Sequence, residues 1–575
     1  MSAASPSNLP NPAPPAWLAV GEVALIVLLF WLQAGAPPPD VNEAHYLAKA
    51  KHYWNPDWCR GDTFLESADA HWLFYVTLGQ LTRWFDLPTA AWIGRFGIWV
   101  FAAWSWRRMC RAIAPDLPAW LAAGLALLLW HRGHMAGEWV IGGVEAKSVA
   151  YAFAFLSLAE AARNRTPQAL AWAGIAAAFH VLVGGWLLVA LGMAWLVSAF
   201  TGPRDGCRLQ VFVPAGALAV LLATPGWLPA ILLTRGVAPE VVTEANHIYV
   251  YERLSHHLVF HRFDHGFMLR HAALVIGWFL LWRFAPPSAP LRRIYLVTAG
   301  AMVIAVAGIV VDQALLYQPD VAAKLLRYYF FRLSDALLPL ACALGVAEVI
   351  ARTAAAQPMV GRMLTGSAAA VIAAHLLALG RPWEPLPPAV AQSLPRPRSA
   401  PLRLWGPGAE EAATDEQPPA VEEPQADTPP VANAPPPAPP LATPAEHAAW
   451  MRDFLAACAW IARETPPDAL FITARGQQTF KWHAGRPEVV SWKDMPQDAA
   501  TLVRWFAVWN ELHPWENGAF DLAGFSDERL QELGAKYGAK FVLHDRTRGG
   551  REIGLPRVYP ADRAVESRFE VFRLE

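Results

Sequence analysis

Apolar residues fall in about eleven runs along this chain, and no other feature restricts its fold as strongly. The runs lie at about 16–36, 90–110, 117–131, 146–162, 167–181, 184–200, 209–233, 268–284, 294–316, 331–350 and 363–380. Most approach the ~20 residues a helix needs to cross the hydrocarbon layer. In lipid the backbone must satisfy its own polar groups, which leaves helices as the spanning form for such runs. The stretch 167–200 is too long for one ordinary span and divides at Gly184-Gly185. Two passes put Arg163 and Arg165 on the same side as Arg204 and Arg208, as the excess of basic residues in cytoplasmic loops requires. Arg107, Arg108, Arg111, Arg292, Arg293, Arg352 and Arg362 then share that side. The expected N-terminus is cytoplasmic. Loops 37–89, 132–145, 234–267 and 317–330, with everything after about 381, are expected to be external. The first run has no basic flank and no small-residue cleavage site, so it reads as a retained anchor.

Composition agrees. Of 575 residues, 55% are hydrophobic and 17% charged, against roughly 25% charged in soluble domains. A net charge of -1 gives no case for a nucleic-acid partner. The 28 tryptophans, many near the ends of the runs, suit belts at two membrane interfaces. Cys59, Cys110, Cys207, Cys342 and Cys458 have no metal-ligand spacing. With this topology Cys59 and Cys458 face the oxidising side, where they either bridge or stay as free thiols.

From about 381 to 444 proline makes up about a third of the residues, and no Lys or Arg lies between Arg403 and Arg452. Such a segment cannot bury enough apolar surface to fold, and reads as an extended spacer. After it, Trp450 to Ile461 has helical periodicity, and helices are expected over about 498–512 and 526–537. Ala469–Thr473, Glu488–Trp492, Lys540–His544 and Phe569–Phe572 read as strands. The expected fold class is mainly α: a polytopic membrane protein of about eleven transmembrane helices over 1–381. A disordered linker over 382–444 and an external α/β domain over 445–575 complete it.

Charge gathers at one depth. Asp40, Glu43, Arg95, Glu138, Glu145, Lys147, Arg270, Asp312, Lys324, Arg327, Arg332 and Asp335 all map to the external ends of their runs. Intramembrane charges usually face a cavity and pair there, so this set points to one polar cavity opening outward. For Arg270 and Lys324 interfacial anchoring is an equal alternative, whereas Arg95 and Asp335 sit inside apolar runs. Asp40 and Glu43 share a helix face at i,i+3, although Asp40 also suits an N-cap for a helix over 42–54. Arg327 and Arg332 present planar forks of donors that fit a phosphate; Arg332 also has Asp335 at i,i+3 as an ion-pair partner. Glu138, Glu145 and Lys147 lie in the segment 137–148, where Glu145 and Lys147 could form a plain ion pair, although i,i+2 spacing disfavours it. His257, His261 and His265 repeat at i,i+4, so one helical face could carry a zinc or manganese site, although a polar interfacial stripe near lipid headgroups is the favoured reading. That triad is the sequence's candidate for a divalent cation as cofactor.

The run Pro39-Asp40-Val41-Asn42-Glu43-Ala44-His45-Tyr46, ending at Asn55-Pro56-Asp57-Trp58, resembles the first external loop of the GT-C glycosyltransferases. In that family an Asp-Glu pair is followed by a Tyr, an amphipathic helix and often an Asp-Trp; here the pair reads Asn42-Glu43. Trp460–Asp468 followed by Ala469–Thr473 resembles the start of the external C-terminal domain of many GT-C-like proteins, and also an uncharacterised domain family at the C-termini of bacterial multipass proteins. The resemblance implies transfer of a sugar from a polyprenyl-linked donor to an acceptor on the external face of a bacterial inner membrane. It implies Glu43, or Asp40, as the base that takes the acceptor's proton. Arg327, Arg332 and Lys147 would hold the lipid phosphate, and Glu138, Glu145, Arg95 and Asp335 would line the substrate pocket. Membrane lipid, a polyprenyl-linked sugar and an acceptor are the expected partners. A transporter or flippase, and a non-catalytic scaffold on a GT-C-like frame, stand as the other classes.

Overall fold

The structure is a computed structural model that describes residues 16–201, 209–380, 443–562 and 564–575. Of the linker expected over 382–444, residues 382–442 lie outside the described residues, as does Cys207, and its last two residues, Thr443 and Pro444, instead begin the next helix. Each apolar run folds as helix: Ala16–Ala34, Leu87–Ile113, Ala119–Gly133, Ala146–Ala162, Thr166–Phe179, Val181–Thr201, Leu209–Leu222 with Thr224–Leu232, His265–Phe284, Ala289–Ala314, Arg332–Ala356 and Pro358–Leu379. Among the described residues, six of these are long and apolar enough to cross a membrane, or seven if the pair at 209–232, bent by 59°, is one span. Of the rest, Leu87–Ile113 is long enough but not apolar enough, and the others are shorter. Several apolar helices point to a multi-pass membrane protein.

Burial sorts the helices. Arg332–Ala356 forms the centre, with 89% of its apolar window buried, whereas His265–Phe284 has 6%. The outer helices leave large apolar side chains such as Leu269, Phe284 and Met359 exposed, a face that fits lipid better than water. Alanine and glycine in the inner helices allow close approach: a Cβ on Gly174 would lie 2.4 Å from the Ala219 carbonyl oxygen. Asp86 and Asp264 accept from backbone amides three residues on and so cap Leu87–Ile113 and His265–Phe284.

The C-terminal domain opens with Pro444–Glu464, started by a Thr443–Glu446 capping box. Four strands, β1 (Phe471–Thr473), β2 (Phe541–Asp545), β3 (Arg557–Tyr559) and β4 (Phe569–Arg573), form one sheet in the order β1-β2-β4-β3. β1 runs parallel to β2; the other pairs are antiparallel. Helices Ala499–Leu512 and Asp527–Tyr537 lie where the periodicity places them. Glu488–Trp492 is no strand: a single bridge, Phe471 to Glu488, is all it contributes to pairing. Its apolar residues Val489 and Val490 are buried in the domain core instead.

That core contains two residues from far upstream. Ala245 and Ile248 pack with Leu502, Trp505 and Leu512. The segment Pro239–His247 between membrane helices thus serves as a docking helix for the C-terminal domain. The bundle and the domain meet over the ends of the apolar helices. Cys59, Cys110, Cys342 and Cys458 are buried free thiols.

Candidate functional site

A cavity of about 1080 Å³ lies at this meeting of bundle and domain. Interrupted helices build its walls. His180 is extended (φ -146°, ψ 102°) between two helices, and the 209–232 pair bends beside Pro225 and Gly226. Broken helices at membrane depth are tolerated where the freed backbone lines a cavity.

Glu138 organises one wall. Arg332 Nε lies 3.0 Å from its Oε2, Tyr151 donates to its Oε1 at 3.0 Å, and Lys147 Nζ is 3.5 Å away. Lys147 is also 3.9 Å from Glu145 and sits over the Trp139 ring. Asp335 fixes this wall from behind. Its carboxylate accepts from the amides of Met135 at 2.7 Å and Ala136 at 2.8 Å, with Glu138 N at 3.3 Å. The expected Arg332–Asp335 pair is therefore replaced by Arg332–Glu138. Asp335 is fully buried and off the cavity surface, so its direct role is to hold the segment that carries Glu138.

Glu43 behaves in the same way. Arg95 donates to both of its oxygens, Nε at 2.6 Å, and the amides of Val144 and Asp40 add bonds of 2.8 Å each. Both side chains are fully buried, and neither lines the cavity. Gly143 makes the closure possible, because a Cβ there would lie 2.7 Å from the Glu43 carboxyl. With its oxygens occupied by four donors, Glu43 has no lone pair directed at a substrate, and Arg95 has no free fork. The pair expected to act on substrate instead ties the first loop to the helix Leu87–Ile113 and to segment 137–145. Asp40 differs. It does not cap the helix Glu43–Trp54, where Asn42 holds the cap position. Its Oδ1 accepts from Val41 N at 2.8 Å, and the partly exposed carboxylate lines the cavity.

Asp40 shares the cavity with Arg327 and Arg332. Arg327 donates to the Asn246 side-chain oxygen. A row of side chains runs from Tyr46, whose hydroxyl is 3.2 Å from His71, through the stacked rings of His71 and His180, to Arg332, 3.0 Å from His180. Burial pulls His71 down to about 3, so it is neutral at ordinary pH. Sequence spacing gave no sign of this row, which comes from a loop, a helix break and a helix start. Lys324 and Arg270 lie exposed, away from the cavity.

The proposed metal triad does not assemble. Val259 and Phe263 are extended and break the helical register. His257 bonds the Ala136 carbonyl, His261 lies 3.0 Å from Asp312, and His265 starts the next helix, exposed. Among the described residues no group of three His, Cys, Asp or Glu is placed to hold a metal ion.

The C-terminal domain supplies the roof, including Thr479, His483, Lys493 and Gln497. A buried cluster seats it. Lys481 Nζ lies 3.1 Å from Asp62, 3.0 Å from Glu488 and 2.5 Å from Asp494, all four side chains at most 3% exposed. Asp62 comes from the first loop, and Asp494 also meets His45 of that loop at 3.1 Å. The lysine's neighbours shift unequally. Burial pushes Glu488 up to about 7 against the pull of Lys481, while Lys481 and His45 hold Asp494 below the usual carboxylate range despite its burial.

Residues 452–511 match the family described as "Domain of unknown function (DUF6798)". That segment includes Lys481, Glu488, Lys493 and Asp494, so it supplies both the seat and part of the roof. No curated protein matches the chain.

Proposed function

We propose that this chain is a GT-C-like integral-membrane glycosyltransferase. It would move a sugar from a polyprenyl phosphate or diphosphate to an acceptor on the external face of a bacterial inner membrane. The eleven helical runs would be spans, with the N-terminus cytoplasmic and the C-terminal domain periplasmic. The observation that carries this reading is the cavity. Among the described residues its wall holds five cations (Lys147, Arg253, Arg327, Arg332, Lys493) against three carboxylates (Asp40, Glu138, Glu145). A surplus of cations suits a ligand that carries phosphate, and the volume admits a sugar.

In this reading Asp40 takes the proton of the acceptor hydroxyl. The acceptor oxygen bonds to the anomeric carbon as the bond from that carbon to the phosphate oxygen breaks. The electron pair leaves on the phosphate, where Arg332 and Arg327 stabilise it. One displacement inverts the anomeric centre. The test is transfer from a panel of polyprenyl-phosphate sugars by the full chain in proteoliposomes. Asp40→Asn is expected to lower the rate about 100-fold or more, and Arg332→Ala by a similar factor. Transfer at the parental rate by both variants would end the reading.

The bent pair at 209–232 and the break at His180 also favour a second reading, a carrier whose interrupted helices surround its cargo. Movement of a labelled polyprenyl phosphate across vesicles, with no sugar transfer, would select it.

A further inference from the structure

Most cations on the cavity wall have partners: Lys147 and Arg332 face Glu138, and Arg327 bonds Asn246. The other two have no side-chain partner at hydrogen-bond distance among the described residues. Arg253 is 9% exposed and uses its Nε on the Trp492 carbonyl at 2.9 Å, with its guanidinium 5.3 Å from the centre of the Trp492 ring. That bond sets it beside the next residue, Lys493. Neither Arg253 nor Lys493 makes an ion pair among the described residues, and both line the cavity. One comes from the segment Ile248–Arg253 between membrane helices, the other from the C-terminal domain. Docking therefore brings two cations together on the cavity wall with, among the described residues, no acid within ion-pair distance of either. Desolvated like charges are costly unless something compensates them.

We propose that Arg253 and Lys493 form an anion subsite at the junction, taking a phosphate-type oxyanion. The planar guanidinium offers paired donors and the ammonium a point charge, a combination that matches tetrahedral oxygens. The subsite is incomplete without the C-terminal domain, which gives that domain a part in binding as well as in covering. The inference rests on the proposed glycosyl transfer for the kind of phosphate that arrives, and not for the existence of the subsite. The surroundings agree. Burial and then Arg253 depress the Lys493 ammonium to about 8, with Lys147 acting the same way, while Glu145 and Asp494 oppose them. A bound dianion would restore its proton.

The test is binding to the purified full chain, with inorganic phosphate as one probe and a polyprenyl phosphate in lipid nanodiscs as the other. Lys493→Gln and Arg253→Gln are each expected to weaken binding of at least one probe about tenfold, the loss of one charged hydrogen bond. Lys493→Arg should retain affinity. It should also remove the decline expected of the parent as pH rises through about 8. Weakening with the free ion identifies a soluble phosphate; weakening with the lipid alone identifies the donor headgroup. Parental affinity for both probes in Lys493→Gln overturns the proposal. Among the described residues the Lys493 side chain makes no hydrogen bond, so this variant keeps the test valid if Arg253→Gln fails to fold. Because the readout is binding, a chain that transfers no sugar can still pass or fail it.

Discussion

Lys481 and Lys493 lie in the same short stretch of the C-terminal domain, and their surroundings are opposite. Lys481 sits among three carboxylates, sealed from solvent. Lys493 faces a large cavity with an arginine for a neighbour. The bundle shows a weaker form of the contrast: Arg95 and Glu43 are sealed together off the cavity, while Arg332, although paired with Glu138, keeps its place on the cavity wall. A buried charge that is fully answered by its own chain holds the fold. A charge left short of an answer marks where a ligand belongs. Burial alone separates neither pair.

The largest effect that would sharpen this contrast is expected from Lys481→Met. It strands three buried carboxylates, and loss of one partner from a buried ion pair costs about 3–5 kcal/mol. The C-terminal domain should come away from the bundle, read as a new protease-sensitive site and a lower unfolding midpoint in detergent. A parental midpoint would show that the cluster does not hold the junction.

A smaller effect comes from pH. Glu488 has its folded pKa raised to about 7 from 4.5. Between those values the folded chain holds a proton that the unfolded chain has released, so this group's contribution to stability falls as pH rises from 4.5 to 7. Its penalty is complete above 7 and absent below 4.5. Asp494 is shifted the other way, and its stabilisation is present above its ordinary pKa near 4 and lost in more acid solution. Glu488→Gln should flatten the upper window by about 1–3 kcal/mol in unfolding measured across pH. An unchanged profile would show that the proton is taken up elsewhere. The smallest effect is expected at Lys324, exposed and outside the cavity: Lys324→Ala should leave stability within about 0.5 kcal/mol of the parent and phosphate binding unaltered. A loss of binding there would widen the anion site beyond the cavity wall.

Much of the bundle was legible because a helix in lipid has one strong signature, an unbroken apolar run, and the structure makes helix of every run. The charges at the ends of those runs were legible as a group, and several do line one cavity. Their individual roles were not. Asp40 and Glu43 look alike in sequence, and what separates them is the approach of Arg95, Gly143 and Val144 from distant parts of the chain. The histidine spacing misled because it presumes a continuous helix, which Val259 and Phe263 interrupt. Glu488–Trp492 carries strand-like residues that the domain uses for its core. Arg253 flanks the histidines of the third loop and does line the cavity, whereas His45 and Lys493 had no local signal, since each gains its meaning from a partner hundreds of residues away.

That separation has a consequence for how the protein comes into being. His45 meets Asp494 across 449 residues and Asp62 meets Glu488 across 426. Ribosomes add about 5–20 residues per second, so the first loop waits roughly 20–90 s for the segment that seats against it. During that interval the described helices of the bundle have been made and the cavity stands without its roof. A message cut short after Pro358–Leu379 would yield a bundle whose cavity never receives its roof.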